Sequence, residues 1–287
     1  MSKTILVIGL NPAWQKTLMF QELKKGEVNR AVKMVSRSSG KGANFAIRTE
    51  KYGNKAILAQ FIGGNIGKLY NANLAKDNDL ELLNQEVIAE TRTCTTLLCE
   101  KSGETTEIIE PSGEISQEES NLLLKKVLSK LETCDGVALC GTYPPGISES
   151  FYIEIAKFAK KKGKPIILDS FKNIKNLLNI GVDILKINKE ELFALTLINN
   201  VEKASKTIAE KYCVKIVAIT DGPNEASLYS NGNFTKYKVP YVENVINPIG
   251  AGDVVSAVFF NEYLAGKKIV ESFKNALAEG SKHCAEI

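Results

Sequence analysis

Asn247-Pro-Ile-Gly-Ala-Gly-Asp253 leads straight into Val254–Leu264, a segment almost wholly apolar and long enough for a buried helix. Gly250 and Gly252 leave no Cβ between the backbone and a ligand. A glycine turn feeding a helix start aims free N–H groups and the positive dipole end at one point. A phosphoryl group in transfer needs this arrangement, because its catalysis is mostly positioning and stabilisation of charge. Asp253 at that point would face an incoming hydroxyl and take its proton as it attacks phosphorus. Alone, the stretch also reads as a tight turn whose aspartate caps a core helix.

Outward from this turn, short apolar runs alternate with helix-length amphipathic segments. Ile5–Leu10, Ala56–Ile62, Val137–Cys140, Pro165–Asp169, Asp183–Ile187 and Ile216–Thr220 read as buried strands. Ala43–Tyr52, Asn65–Ala75, Gln117–Leu131, Ser148–Lys162, Lys189–Leu197 and Val201–Tyr212 read as helices between or after them. Such alternation predicts an α/β fold, a doubly wound and mostly parallel sheet flanked by helices. Two regions break the rhythm. Thr17–Arg37 and Val87–Ile109 alternate with period two, the second around a turn at Lys101–Glu104, and predict an inserted antiparallel β lid. A late hairpin, Ala226–Ser230 and Phe234–Val239 across Asn231-Gly232, predicts an antiparallel edge. With no linker or repeat, residues 1–287 are taken as one domain, with lid inserts at about 15–37 and 87–110.

Composition narrows the function. The 287 residues are 44% hydrophobic and 24% charged, ample for a core and unlike a disordered chain. The net charge of +4 suits an anionic substrate. The lysines are scattered, and the run Lys160–Lys162 reads as a dipole-matched helix end rather than a nucleic-acid patch. Six cysteines form no C-x-x-C pair, and His283 is the only histidine. Zinc spacing and a Ser-His-Asp triad are therefore absent, and the cysteines read as reduced thiols of a cytoplasmic protein. The run Ile5–Leu10 is too short for a secretory h-region or a membrane span.

Ser39-Gly40-Lys41-Gly42-Ala43-Asn44 opens a predicted helix, with Lys41 as a point charge and Asn44 as a hydrogen-bonding amide. It lacks the spacing of a P-loop, and Gly63-Gly64-Asn65-Ile66-Gly67 lacks that of a dinucleotide fingerprint. Asn11-Pro12-Ala13, Gly26-Glu27-Val28-Asn29-Arg30, Gly40-Lys41-Gly42-x-Asn44 and Thr91-Arg92 follow one another in order. Gly141-Thr142-Tyr143-Pro144-Pro145-Gly146, Asn188-x-x-Glu191 and Gly250-Ala251-Gly252-Asp253 continue the series. In this order and register the chain resembles the ribokinase-like, PfkB-type carbohydrate kinases, most of all the 1-phosphofructokinase and tagatose-6-phosphate kinase branch.

That resemblance implies an ATP- and Mg²⁺-dependent kinase acting on a sugar phosphate, fructose 1-phosphate or tagatose 6-phosphate, to give a bisphosphate. It makes Asp253 the base and the N–H groups of Gly250, Ala251 and Gly252 the hole for the transferring phosphoryl group. Gln15, Arg30, Gly40, Lys41, Asn44 and Arg92 match acceptor positions, the three cations forming a phosphate clamp. Lys186, Asn188, Thr220 and Gly222 match nucleotide positions, and Glu191 matches a magnesium position acting through water. Asn188 and Glu191 also read as a capping box, a role that coexists with the functional one. The resemblance further implies a homodimer through the lid, with no nucleic acid or membrane as partner.

The chain departs from the pattern at several positions. Gln15 stands where the family has an aspartate for sugar hydroxyls, after Trp14, which offers a stacking wall. Ser39 replaces a glycine, Asp221 and Glu225 add carboxylates beside the nucleotide turn, and the sequence ends at Ile287 where relatives continue. These departures keep open a kinase of a free sugar, nucleoside or small alcohol, and a catalytically weak sugar-phosphate-binding regulator.

Overall fold

β1 (Thr4–Ile8) carries Ile5 and Val7 into one apolar layer and Leu6 and Ile8 into another, all four fully buried. A strand buried on both faces belongs inside a parallel sheet with helices on either side. In the computed structural model, which describes residues 2–77, 80–243 and 245–285, β1 pairs in parallel with β4 (Lys55–Gly63) and β8 (Gly136–Cys140). β5 (Glu81–Val87) extends the sheet beyond β4. β9 (Ile166–Asp169), β10 (Val182–Asn188) and β11 (Val214–Asp221) extend it beyond β8, again in parallel. The hairpin of β12 (Glu225–Ser230) and β13 (Asn233–Lys238) adds the antiparallel edge expected from Asn231-Gly232. The order is β13-β12-β11-β10-β9-β8-β1-β4-β5.

One face is covered by α1 (Lys41–Lys51), α2 (Gly64–Asp77), α8 (Ala251–Leu264) and α9 (Ile269–His283), which bury Phe45, Tyr70, Phe259 and Phe273. The other is covered by α3 (Gln117–Leu131), α4 (Glu149–Lys161), α5 (Lys175–Ile180), α6 (Lys189–Thr196) and α7 (Val201–Lys211), led by Leu123, Tyr152, Leu177, Leu192 and Ile208. From β1 the chain moves to β4 on one side, and it returns later as β8 on the other. The carboxyl ends of β1 and β8 therefore flank a crevice, the place where such sheets bind ligands. No described helix is long and apolar enough to cross a membrane.

A second sheet, β3-β2-β6-β7, stands over this end. It joins β2 (Ala13–Phe20), β3 (Lys33–Ser39), β6 (Arg92–Cys99) and β7 (Thr105–Ile109). Its two hairpins are antiparallel, but β2 and β6 pair in parallel from Ala13↔Arg92 to Phe20↔Cys99, so the lid is mixed rather than antiparallel. The reason is topological: β2 follows β1 and β6 follows β5, and both leave the large sheet at its carboxyl end. β5 was not foreseen. Its run Glu81-Leu-Leu-Asn-Gln-Glu-Val87 neither alternates nor forms an apolar block, because it is an edge strand. α5 was missed as well, being only six residues long.

Candidate active site

The site is assembled where β1 meets α1. Gly9 follows β1, and its backbone lies directly against Gly42: a Cβ on Gly42 would come within 2.4 Å of the Gly9 Cα. That contact needs glycine on both sides, and it seats the start of α1 on the crevice. Gly40 turns the chain into α1 with φ of 113°, a conformation that glycine alone adopts freely. Lys41, the first helical residue, reaches across to Asp169 at the end of β9, Nζ to Oδ1 2.5 Å. Asp169 is 1% exposed. It also accepts a hydrogen bond from Ser256 Oγ at 2.5 Å and lies 3.7 Å from Lys186 Nζ.

Asp253 sits in the first turn of α8, 8% exposed, and accepts a hydrogen bond from Asn44 Nδ2 at 2.7 Å. The two buried carboxylates are driven apart in acidity. For Asp169, burial favours the neutral acid, but the charges of Lys186 and Lys41 and the hydrogen bonds from Lys41 and Ser256 outweigh it and hold its pKa at about 2. For Asp253, burial and the negative charge of Asp169 act together. Lys41, Asn44 and Lys186 only moderate the effect, and the carboxyl is pushed up to about 6. A pair of acids separated in this way places a proton acceptor near neutral pH beside a permanently charged anchor.

Gly250 caps α8 in the left-handed conformation, φ 87°. Lys186, 4% exposed on β10, brings its ammonium so close to Gly252 that a Cβ there would lie 2.9 Å from Nζ. The Ala251 N–H is turned back to the Pro248 carbonyl at 3.3 Å, and Gly252 and Asp253 provide further N–H groups of the first helical turn. Asn188 caps α6, accepting from the Glu191 N–H at 2.8 Å while Glu191 Oε2 accepts from the Asn188 N–H at 2.9 Å. The other Glu191 oxygen lies 3.9 Å from Lys41 Nζ, so the cap also points a carboxylate at the centre. Thr220 is the last residue but one of β11, and Gly222 takes φ of 55° in the turn after the strand. Asp221 is paired with Lys189 at 2.8 Å and Glu225 with Lys236 at 2.9 Å, so each added carboxylate has its own lysine.

Lys41 and Arg92 line one cavity of about 140 Å³ with Gly9, Asn11, Gly40 and Thr142. Arg92 donates from Nη2 to the Asn11 carbonyl at 3.3 Å, and its Nε is buried with no hydrogen-bond partner among the described residues. Arg30 is not brought to this cavity. It is exposed in the loop between β2 and β3. Gln15 is 6% exposed, and its amide is engaged with Thr96 Oγ1 at 2.8 Å and the Lys16 carbonyl at 3.2 Å. Trp14 is buried in the apolar layer with Ala43 and Phe45 and offers no stacking wall.

Three residues that matter were not picked out beforehand. Asp169 carried the one available signal, an acid ending an apolar parallel strand. Ser256 is hidden inside the α8 run, and Arg37 in the lid strand β3 senses the charge of Asp253. The end of α9 braces the glycine turn. The Cys284 carbonyl accepts from Ile246 and Asn247, and His283 Nε2 lies 3.0 Å from the Ile249 carbonyl.

A buried base beside a glycine-capped helix, with Lys186 buried and Lys41 half-buried next to it, at the carboxyl ends of parallel strands, is the arrangement of a phosphotransferase. The family model of the pfkB family carbohydrate kinases matches residues 3–286, and the chain belongs to that family. A possible 1-phosphofructokinase from Thermotoga maritima superposes with a TM-score of 0.89 at 20% identity, covering 99% of this chain and 92% of that one. Phosphofructokinase-2 from Escherichia coli, in complex with fructose-6-phosphate, gives 0.87 at 22% identity over 100% and 95%. Arabidopsis thaliana ribokinase, complexed with ribose and ATP, gives 0.77 at 24% identity over 99% and 93%. At these identities the likeness is one of fold.

Proposed function

We propose that this carbohydrate kinase transfers the γ-phosphoryl group of ATP to a hydroxyl of a sugar phosphate, fructose 1-phosphate or tagatose 6-phosphate, yielding the bisphosphate. The observation that carries the reading is the buried Arg92 Nε–H without a partner, in a cavity shared with Lys41. A buried donor left unmet is costly, and a phosphate monoester supplies both the acceptor oxygens and the charge that the Arg92 guanidinium calls for. The complex of the Escherichia coli enzyme with fructose-6-phosphate supports this acceptor class, and the ribokinase complex supports ATP as donor.

In the proposed reaction the acceptor oxygen attacks the γ-phosphorus, its proton passes to Asp253, and the bond to the β–γ bridging oxygen breaks to release ADP. Lys186 and the N–H groups at the start of α8 stabilise charge on the transferring group. Lys41 is held toward the crevice by its ion pair with Asp169. Glu191 is the residue that would hold Mg²⁺, through water. The Glu191 oxygen not used in the cap lies 3.9 Å from Lys41 Nζ, and an ion that keeps most of its shell as water and nucleotide phosphate would meet it through one of those waters. When bound, that ion neutralises charge on the phosphates. Lid closure over the site excludes water as a competing acceptor. The free cysteines fit a cytoplasmic enzyme, and the apolar residues exposed on the lid fit a homodimer.

A coupled ADP-release assay over fructose 1-phosphate, fructose 6-phosphate, tagatose 6-phosphate and free fructose tests the reading. A phosphorylated acceptor should win on kcat/KM. Arg92→Ala should weaken phosphorylated acceptors far more than free fructose, and equal losses would remove the clamp. The engaged amide of Gln15 and the remote Arg30 favour a second reading, a free-sugar or small-alcohol kinase, which the same panel would reveal by preferring unphosphorylated acceptors.

A further inference from the structure

A second cavity, of about 90 Å³, opens where β3, α1, the first turn of α8 and the end of α9 meet. Arg37, Asn44, Arg48, Lys51, Gly250 and His283 line it, and it shares no lining residue with the Lys41/Arg92 cavity. No carboxylate is among its described lining residues. Arg48 is held by Glu279 at 3.5 Å, and His283 lies against the Ile249 carbonyl. Arg37 and Lys51 differ: among the described residues, no carboxylate lies within ion-pair distance of either. Arg37 is also partly withdrawn from water. Burial lowers its pKa, and the charge of Asp253 acts against that shift. A guanidinium in this position calls for a hydrogen-bonded counter-charge. The space is several times the roughly 10–15 Å³ that one water requires, and smaller than the Lys41/Arg92 cavity.

We propose that this cavity is a second anion site, taking a free tetrahedral oxyanion of the phosphate or sulfate class between Arg37 and Lys51. Arg37 then serves two anions, the bound ion and Asp253, so occupancy of the cavity is coupled to the field at the base. Asn44, which lines the cavity and donates to Asp253, is the physical link.

Titration calorimetry with sulfate at fixed ionic strength tests the proposal, since sulfate keeps one charge state across neutral pH. The titrations use Arg92→Ala protein, in which the first cavity has lost its guanidinium. Saturable binding should persist there. Adding Lys51→Ala, an exposed position at the end of α1 whose removal leaves the fold intact, should weaken it by about tenfold or more, the scale of one charge-assisted bond. Lys51→Arg should restore it, and Arg37→Ala should match the loss. Inorganic phosphate should follow sulfate, whereas fructose 6-phosphate should not bind in the Lys51-dependent manner, because the cavity holds the free ion. Absence of binding in the Arg92→Ala protein, or isotherms unmoved by Lys51→Ala and Arg37→Ala, would overturn the assignment. Because the readout is binding, a chain without sugar-phosphate kinase activity that gave the expected pattern would keep this site and lose only the function proposed above.

Discussion

At Asp253 burial and the neighbouring Asp169 charge both favour the protonated acid, and the cations around it bring the balance back only to about 6. The acid limb of kcat/KM is therefore expected near pH 6, read from a pH–rate profile with the coupled assay. Asp169→Asn removes the repelling charge and should move that limb to lower pH. The same change strips Lys41 and Lys186 of their buried partner and should destabilise the protein by about 3–5 kcal/mol in chemical denaturation. The two carboxylates also load stability with opposite signs. Asp169 has a folded pKa below its unfolded value, so its contribution is complete above about pH 4 and is lost as the pH falls toward 2. Asp253 has a folded pKa above its unfolded value, so the folded state holds the extra proton between about pH 4 and 6, and stability declines as the pH rises through that window. Asp253→Asn should thus stabilise the fold at pH 7.5 by at most about 3 kcal/mol, read as a higher melting temperature. It should also lower kcat by about 10²–10⁴-fold. A purely structural aspartate would lower both quantities, and that outcome removes Asp253 from its role.

Among the elements, the contact between the end of β1 and the start of α1 governs the site. Gly42→Ala would press a methyl group onto the Gly9 backbone and should cost about 1–3 kcal/mol. The displaced Lys41 should raise the KM for the acceptor more than for ATP; equal effects on both would argue against Lys41 as an acceptor residue. This contact also shows what the sequence could convey. Glycine at position 42 was visible, but its opposite number, Gly9, lies 33 positions away and only the folded strand brings the two together. The buried strands and long helices were legible because each carries its own periodicity, whereas β5 draws its burial from β4 and α3. Asn188 and Glu191 were legible as a cap because three residues span it. Asp169 was not, since its partners Lys41, Lys186 and Ser256 come from three different elements. Gln15 was noticed as a departure, but its engagement with Thr96 depends on the parallel register of β2 and β6. That register follows from chain topology rather than from local pattern.

For the molecule as a whole, the lid poses the remaining question. Direct register partners share a face, so Leu18 places Met34 on one side and Leu97 on the other along the same surface. Thr95, two residues from Leu97, puts its partner Ile108 there too. Met34 is 60% exposed and Ile108 54%. An apolar strip across a four-stranded sheet is poorly suited to water, and a second copy of the same strip would cover it. Sedimentation velocity should therefore find a dimer at micromolar concentration. Met34→Lys with Ile108→Lys, both solvent-facing in one chain and so harmless to its own core, should convert it to monomer. If the lid also needs its partner to lie closed over the crevice, the monomer should turn over slowly and divert ATP to water, seen as ADP release without acceptor. A wild-type chain that sediments as a monomer would contradict the dimer, and a double variant that remains dimeric would place the interface elsewhere on the molecule.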